Sequence, residues 1–251
     1  MRASLVAVLL AAGFAAAGCG GGSSPGGGPE AAANGEASKP AQQVLVDAVR
    51  TAKAAPGVHM SGHQDHGFGR EVSFDATFVK GKGGMATVVD GGLKVSVVVI
   101  GDPVGGTDPA GGKVYLRGSS AWWAYYGSYS GIKNPSSLGG KWVEISVTDF
   151  RAMAALEGWA EYAYLSFMLD QLTTHMGALT KKSLTYKGQS VVALYGPSKT
   201  RWVFVAATGK PYPVFVGRKD GSPASISFDS WGKSVPLSAP SGAIEVSKLG
   251  G

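Results

Sequence analysis

Cysteine occurs once in the 251 residues, as Cys19, where it closes the run Ala16-Ala17-Gly18-Cys19. A thiol in that setting is the residue type that accepts a lipid. Arg2 gives the segment a positive start, and Ala3 to Ala17 is uncharged and rich in Leu, Val and Ala. A spanning helix needs about 20 apolar residues, and this run is shorter. A removable export signal over residues 1–18 fits it. Read as a bacterial lipoprotein signal, the segment is cut before Cys19, and the sulfur carries a diacylglycerol. Ala16 stands three residues before the cysteine, where such signals usually carry Leu. The alternative is an ordinary secretory signal cut at Ala15-Ala16-Ala17, leaving a free thiol nearby. Without a second cysteine no internal disulfide forms, and the core must hold the fold.

Other reactive side chains give weaker patterns. His59, His63 and His66 lie close together with Asp65 among them. On a strand, His59 and His63 share a face and His66 points the other way. Zinc needs three or four convergent ligands, and nothing places the fourth histidine, His175, beside them. The group reads as a polar strand end with exposed imidazoles, and no metal or cofactor is expected. Trp231-Gly232-Lys233-Ser234 ends like a phosphate loop, but Ser227 stands where the first Gly is required. Gly22-Ser23-Ser24-Pro25-Gly26 has the GxSxG form without the strand and helix that make it a nucleophile elbow. No spacing pairs any two of Asp75, Asp90, Glu144, Glu157 and Asp229 for acid–base work. The chain reads as no enzyme.

Apolar groups offer a different chemistry. Val97, Val98, Val99 and Ile100 make both faces of one strand apolar. Burial on both sides explains this, and so does an apolar cavity lined from one side. Trp122, Trp123, Tyr125, Tyr126 and Tyr129 form the densest aromatic group. Such rings suit a lipid-binding mouth or a bilayer surface, and equally the packing of a loop over a sheet. Leu165, Leu169 and Leu172 belong to a stripe with Tyr162 and Met176 on an expected helix from about Trp159 to Met176.

Gly20 to Ser38 contains no bulky apolar side chain, and Glu30 and Glu36 are its charges. With Cys19 it makes a flexible tether over residues 19–38, spanning roughly 25 Å as a coil. Residues 39–251 then form a single domain with a sizeable core. A helix is expected from Pro40 to Ala55, with Ser38 able to cap it. Alternation predicts strands over Val72–Phe78, Met85–Val89, Leu93–Ile100 and Lys113–Arg117. After the helices, strands are expected over Ser183–Lys187, Ser190–Tyr195, Arg201–Ala207, Tyr212–Arg218 and Ala224–Asp229. Short turns between them imply antiparallel pairing. The sum is an α+β fold, one curved antiparallel sheet of about eight to ten strands with a few helices on one face. Without Arg2 the net charge is +5, and the basic residues are scattered. No nucleic-acid partner is expected. The excess suits an anionic membrane surface, or a merely solvated one.

Five pieces occur in order: Gly112-Lys113-Val114-Tyr115-Leu116-Arg117-Gly118, Gly140-Lys141-Trp142-Val143-Glu144-Ile145, Gly209-Lys210-Pro211-Tyr212-Pro213-Val214, Ile226-Ser227-Phe228-Asp229-Ser230-Trp231 and Pro236-Leu237-Ser238-Ala239-Pro240. In these the chain resembles the actinobacterial LolA-like lipoproteins of the LppX/LprAFG type. The resemblance implies a half-barrel wrapped around helices, with an apolar cavity for acyl lipid or lipoglycan. It further implies a membrane-anchored carrier in the cell envelope, monomeric, able to hand its cargo to an envelope transporter. Val97, Val99, Trp122, Trp123, Leu165, Leu169 and Leu172 are the candidate cavity positions. An interaction lipoprotein with a filled core, or an envelope hydrolase, are the alternatives.

Overall fold

The computed structural model describes residues 32–65, 71–101, 112–146, 169, 177–218 and 224–249. These lie in one unit, Ala32–Gly251. Cys19, the signal segment, Leu165, Leu172, His66, His175 and Glu157 fall outside the described residues.

Helix α1 (Ala41–Ala54) forms because Val44, Leu45, Ala48 and Ala52 recur on one face, which is buried. Ser38 does not cap it. Pro40 holds the N-cap position without a side-chain bond, and Ser38 Oγ donates to the Gly35 carbonyl at 2.7 Å. Residues 32–38, assigned to the tether by composition, are part of the fold. Ala33 bridges to Thr208, Asn34 Nδ2 donates to the Ala206 carbonyl at 2.9 Å, and Glu36 is 1% exposed. Composition misses this because these few residues are ordered by partners more than 150 positions away.

Six strands follow as one block: β1 (Gly57–Asp65), β2 (Glu71–Val79), β3 (Gly83–Asp90), β4 (Leu93–Ile100), β5 (Lys113–Gly118) and β6 (Val143–Ser146). A second block holds β7 (Thr180–Tyr186), β8 (Gln189–Tyr195), β9 (Trp202–Ala206), β10 (Pro213–Gly217) and β11 (Ser225–Asp229), and β12 (Ile244–Glu245) closes the series. Together they make one strongly curved, unclosed sheet in the order β12-β6-β5-β4-β3-β2-β1-β11-β10-β9-β8-β7. Within each block consecutive strands pair antiparallel, and the long segment Ser119–Trp142, which holds the helical turns, connects β5 to β6. The blocks meet where β1 pairs antiparallel with β11, His59 opposite Asp229. The fold class is the expected α+β half-barrel. The described residues hold twelve strands where eight to ten are expected: β1 is legible only as a polar strand end around its histidines, and β6 and the two-residue β12 carry too few residues to show alternation. The β12–β6 pairing is parallel, which departs from a purely antiparallel sheet.

Strand alternation sorts the two faces. On β2, Val72, Phe74, Ala76 and Phe78 are buried, while Glu71, Ser73, Asp75 and Thr77 are exposed or half-buried. On β4, Val95, Val97 and Val99 are buried, and Ser96, Val98 and Ile100 are half-buried on the other face. The inward side chains of β1–β6 and β8–β11 join α1 in one apolar core. On β8 to β10 the outer face is apolar as well. Trp202, Phe204 and Phe215 form a separate cluster with Tyr186 and Tyr195 packed against it.

Candidate functional site

Strand register puts the inward residues of adjacent strands side by side, so the core is a continuous wall. Val97 faces Ala86 on one side and Leu116 on the other, and Val99 faces Gly84 and Val114. The candidate positions Val97, Val99, Trp122, Trp123 and Leu169 all lie in this one core and are 0–1% exposed. Leu165 and Leu172 lie outside the described residues.

The aromatic group divides by depth. Ser119 begins the turn, its hydroxyl accepting from the Trp122 amide at 3.1 Å. Helix α2 (Ser120–Trp122) continues into a π-helical turn (Trp123–Gly127). This winding drives both indoles inward, edge to face at 4.9 Å. Gly118 is required beneath them, because a Cβ there would sit 2.5 Å from the Trp122 ring. Tyr126 is half-buried and donates to the buried Asp90 carboxylate. Tyr125 and Tyr129 turn outward, and Tyr129 is 71% exposed. Both tryptophans are thus buried in the core, while two tyrosine rings face solvent.

Polar chemistry collects on the opposite, outer face. His59 on β1 lies between β11 and β2, with Nδ1 3.0 Å from Asp229 Oδ2 and Nε2 3.2 Å from Asp75 Oδ2. Partial burial lowers the basicity of the imidazole, but hydrogen bonds and charge from Asp229, then Asp75, outweigh it and raise the pKa. His63 shares this face, as its spacing implied, with Nδ1 2.6 Å from Glu71 Oε1. Sequence spacing paired no two acids, yet the fold sets Asp75 and Asp229 on either side of one imidazole. They are 154 positions apart, and the β1–β2 and β1–β11 registers together join them. The available signal was the wet-face alternation on three strands. A carboxylate on each ring nitrogen leaves His59 no free nitrogen to activate a hydroxyl. Trp231-Gly232-Lys233-Ser234 starts in an exposed turn and opens no helix.

A third polar group anchors the N-terminal entry to the fold. Lys39 Nζ reaches Glu36 Oε1 at 2.6 Å and Asp47 Oδ2 at 2.7 Å. Gln43 Nε2 donates to Asp47 at 2.9 Å, and the Lys181 ammonium donates to the Ala37 carbonyl at 2.6 Å. Hydrogen bonds from Asp47, then Glu36, raise the Lys39 pKa. The Lys39 hydrogen bond lowers that of Asp47 against its burial. Among the described residues no group of His, Cys, Asp and Glu is arranged to hold a metal, and no helix is long and apolar enough to cross a membrane.

Comparison with protein-family models gives no match, and comparison with curated proteins gives none. Among solved structures the chain is similar to LprF from Mycobacterium bovis at 14% identity and a TM-score of 0.41, over 80% of this chain and 97% of that one.

Proposed function

We propose that this is an extracytoplasmic protein, held to a membrane by acylated Cys19, that binds acyl lipid against the inward face of its sheet. The observation that supports this is the wall itself. Among the described residues a large unclosed sheet carries one continuous apolar face, packed against α1, the α2 segment and Leu169. On this reading the covers move off the wall to admit lipid. An acyl chain taking their place would gain about 0.8 kcal/mol per methylene relative to water. Because Val97, Val99, Trp122, Trp123 and Leu169 are fully packed, lipid enters by displacing a cover.

The test is organic extraction of natively purified protein with mass spectrometry, together with uptake of a fluorescent fatty acid by delipidated protein. Extracted acyl lipid and saturable uptake are expected. Protein that is repeatedly empty and takes up no probe overturns the reading. That outcome selects the second reading, a filled fold presenting a surface to an envelope partner, which the complete burial of the same five side chains favours.

A further inference from the structure

The outer face carries two depressions at the centre of the sheet. The first, about 300 Å³, spans β11, β1, β2 and β3, with Ser61, His63, Ser73, Asp75, Ser225 and Ser227 in its lining. The second, about 250 Å³, spans β2, β3 and β4 and ends at Trp142, with Thr77, Ser96 and Val98 in its lining. Asp75 and Thr87 line both, so the two form one trough crossing five strands.

Register builds this trough. Ser61 opposes Ser227 on one side and Asp75 on the other, and His63 opposes Ser225 and Ser73. Asp75 opposes Thr87, which opposes Ser96. A row of short hydroxyl side chains thus runs across the strands, leaving a valley between taller neighbours. These hydroxyls are half-buried on the outer face. Asp75 is held by His59 through Oδ2, which leaves its other oxygen as an acceptor. At the far end the Trp142 ring carries the Arg117 guanidinium 5.0 Å from its centroid.

The lining selects its ligand by chemistry. The Asp75 carboxylate opposes phosphate or any other anion. A peptide adding as a strand needs a free sheet edge, and all five strands here are paired on both sides. An acyl chain would strip water from the hydroxyls and give nothing back. A neutral chain of hydroxyls fits: it exchanges hydrogen bonds with serine and threonine, donates to the carboxylate, and rests a C–H face on an indole. We propose that this trough binds a neutral oligosaccharide, laid across β11, β1, β2, β3 and β4 and ending on Trp142. The site lies on the face opposite the apolar wall and does not depend on the acyl-lipid reading.

The test titrates the purified full chain with maltohexaose, cellohexaose and mannohexaose by calorimetry. At least one should bind with Kd near or below about 1 mM. Thr87→Val, which keeps shape and leaves the His59 contacts intact, should weaken binding about threefold or more, and Asp75→Asn about tenfold. Trp142→Ala should weaken it comparably. Fatty-acid uptake, run in parallel, should be unchanged in Thr87→Val, which separates failure of this site from failure of the lipid reading. The proposal is overturned if none of the three binds at about 10 mM. It is also overturned if binding is the same in Thr87→Val and Asp75→Asn, or if inorganic phosphate binds in place of sugar.

Discussion

Asp229 Oδ2 lies 3.0 Å from His59 Nδ1, across the seam where the first and last blocks of the sheet meet. The pair, extended to Asp75 at 3.2 Å, adds charge to a junction otherwise made of backbone bonds. Its strength should follow pH. The folded-state pKa of His59 is raised, so its stabilisation is complete below the unfolded value of about 6.5 and fades as pH rises through the folded value. Between about pH 6 and pH 9, wild type should lose about 0.5–1 kcal/mol relative to His59→Gln, a small figure because the partners are solvent-exposed. Urea denaturation of both chains at the two pH values measures it. An equal difference at both would count against the assignment.

Gly62 tests the same seam sterically. A Cβ there would sit 2.2 Å from the Ser225 carbonyl oxygen, and backbone on a paired strand cannot give way locally. Gly62→Ala should destabilise by about 2 kcal/mol or more. Ser61→Ala, one residue away on the wet face, should stay within about 0.5 kcal/mol. Denaturant midpoints compare them directly.

Trp123 is fully buried, and among the described residues its indole Nε1 has no hydrogen-bond partner. Trp123→Ala should cost about 3–5 kcal/mol by leaving a cavity. Trp123→Phe should cost far less, about 1 kcal/mol, because the lost volume is offset by removing an unsatisfied N–H. Tyr129→Ala, at an exposed ring, should be close to neutral. A phenylalanine variant as damaged as the alanine one would show that the N–H has a partner.

Lys39 bridges a buried carboxylate and the first helix. Lys39→Met should lower the melting temperature, because it removes the hydrogen bond to Oε1 of the buried Glu36, whose Oε2 has no partner among the described residues. Adding Glu36→Gln should recover most of the loss. Thermal melts of the single and double variants decide it, and a double variant no better than the single would refute the pairing.

Cys19 carries the membrane part of the proposal. Cys19→Ser should abolish acylation, shift the protein from the membrane to the soluble extracytoplasmic fraction, and reduce its mass by that of the acyl groups. Intact-mass spectrometry and fractionation report both. An unchanged fraction would mean that something other than this thiol holds the protein.

Local periodicity made much of the fold legible. Alternation on β2 and the 3.6-residue stripe of α1 depend only on nearby side chains, so their bounds match the sequence to within a residue or two. Shorter elements escaped, because four residues of β6 and two of β12 cannot display a period. Two-sided burial on β8 to β10 escaped too, since an apolar run does not say what covers each face.

Sequence by itself determined the alternation, the strand faces on which Val97, Val99, His59 and Asp75 must lie, and it is the sole ground for the address proposed at Cys19. Tertiary structure decided which of these meet. Composition assigned Glu36 to a tether, but long-range pairing at Thr208 draws it into the fold. The acids Asp75 and Asp229 show no relation along the chain. They converge on His59 because β1 is the strand that pairs with both β2 and β11. Side-chain alternation is set by each strand's own backbone, whereas neighbourhood across strands is set by pairing between remote segments, which no local pattern encodes.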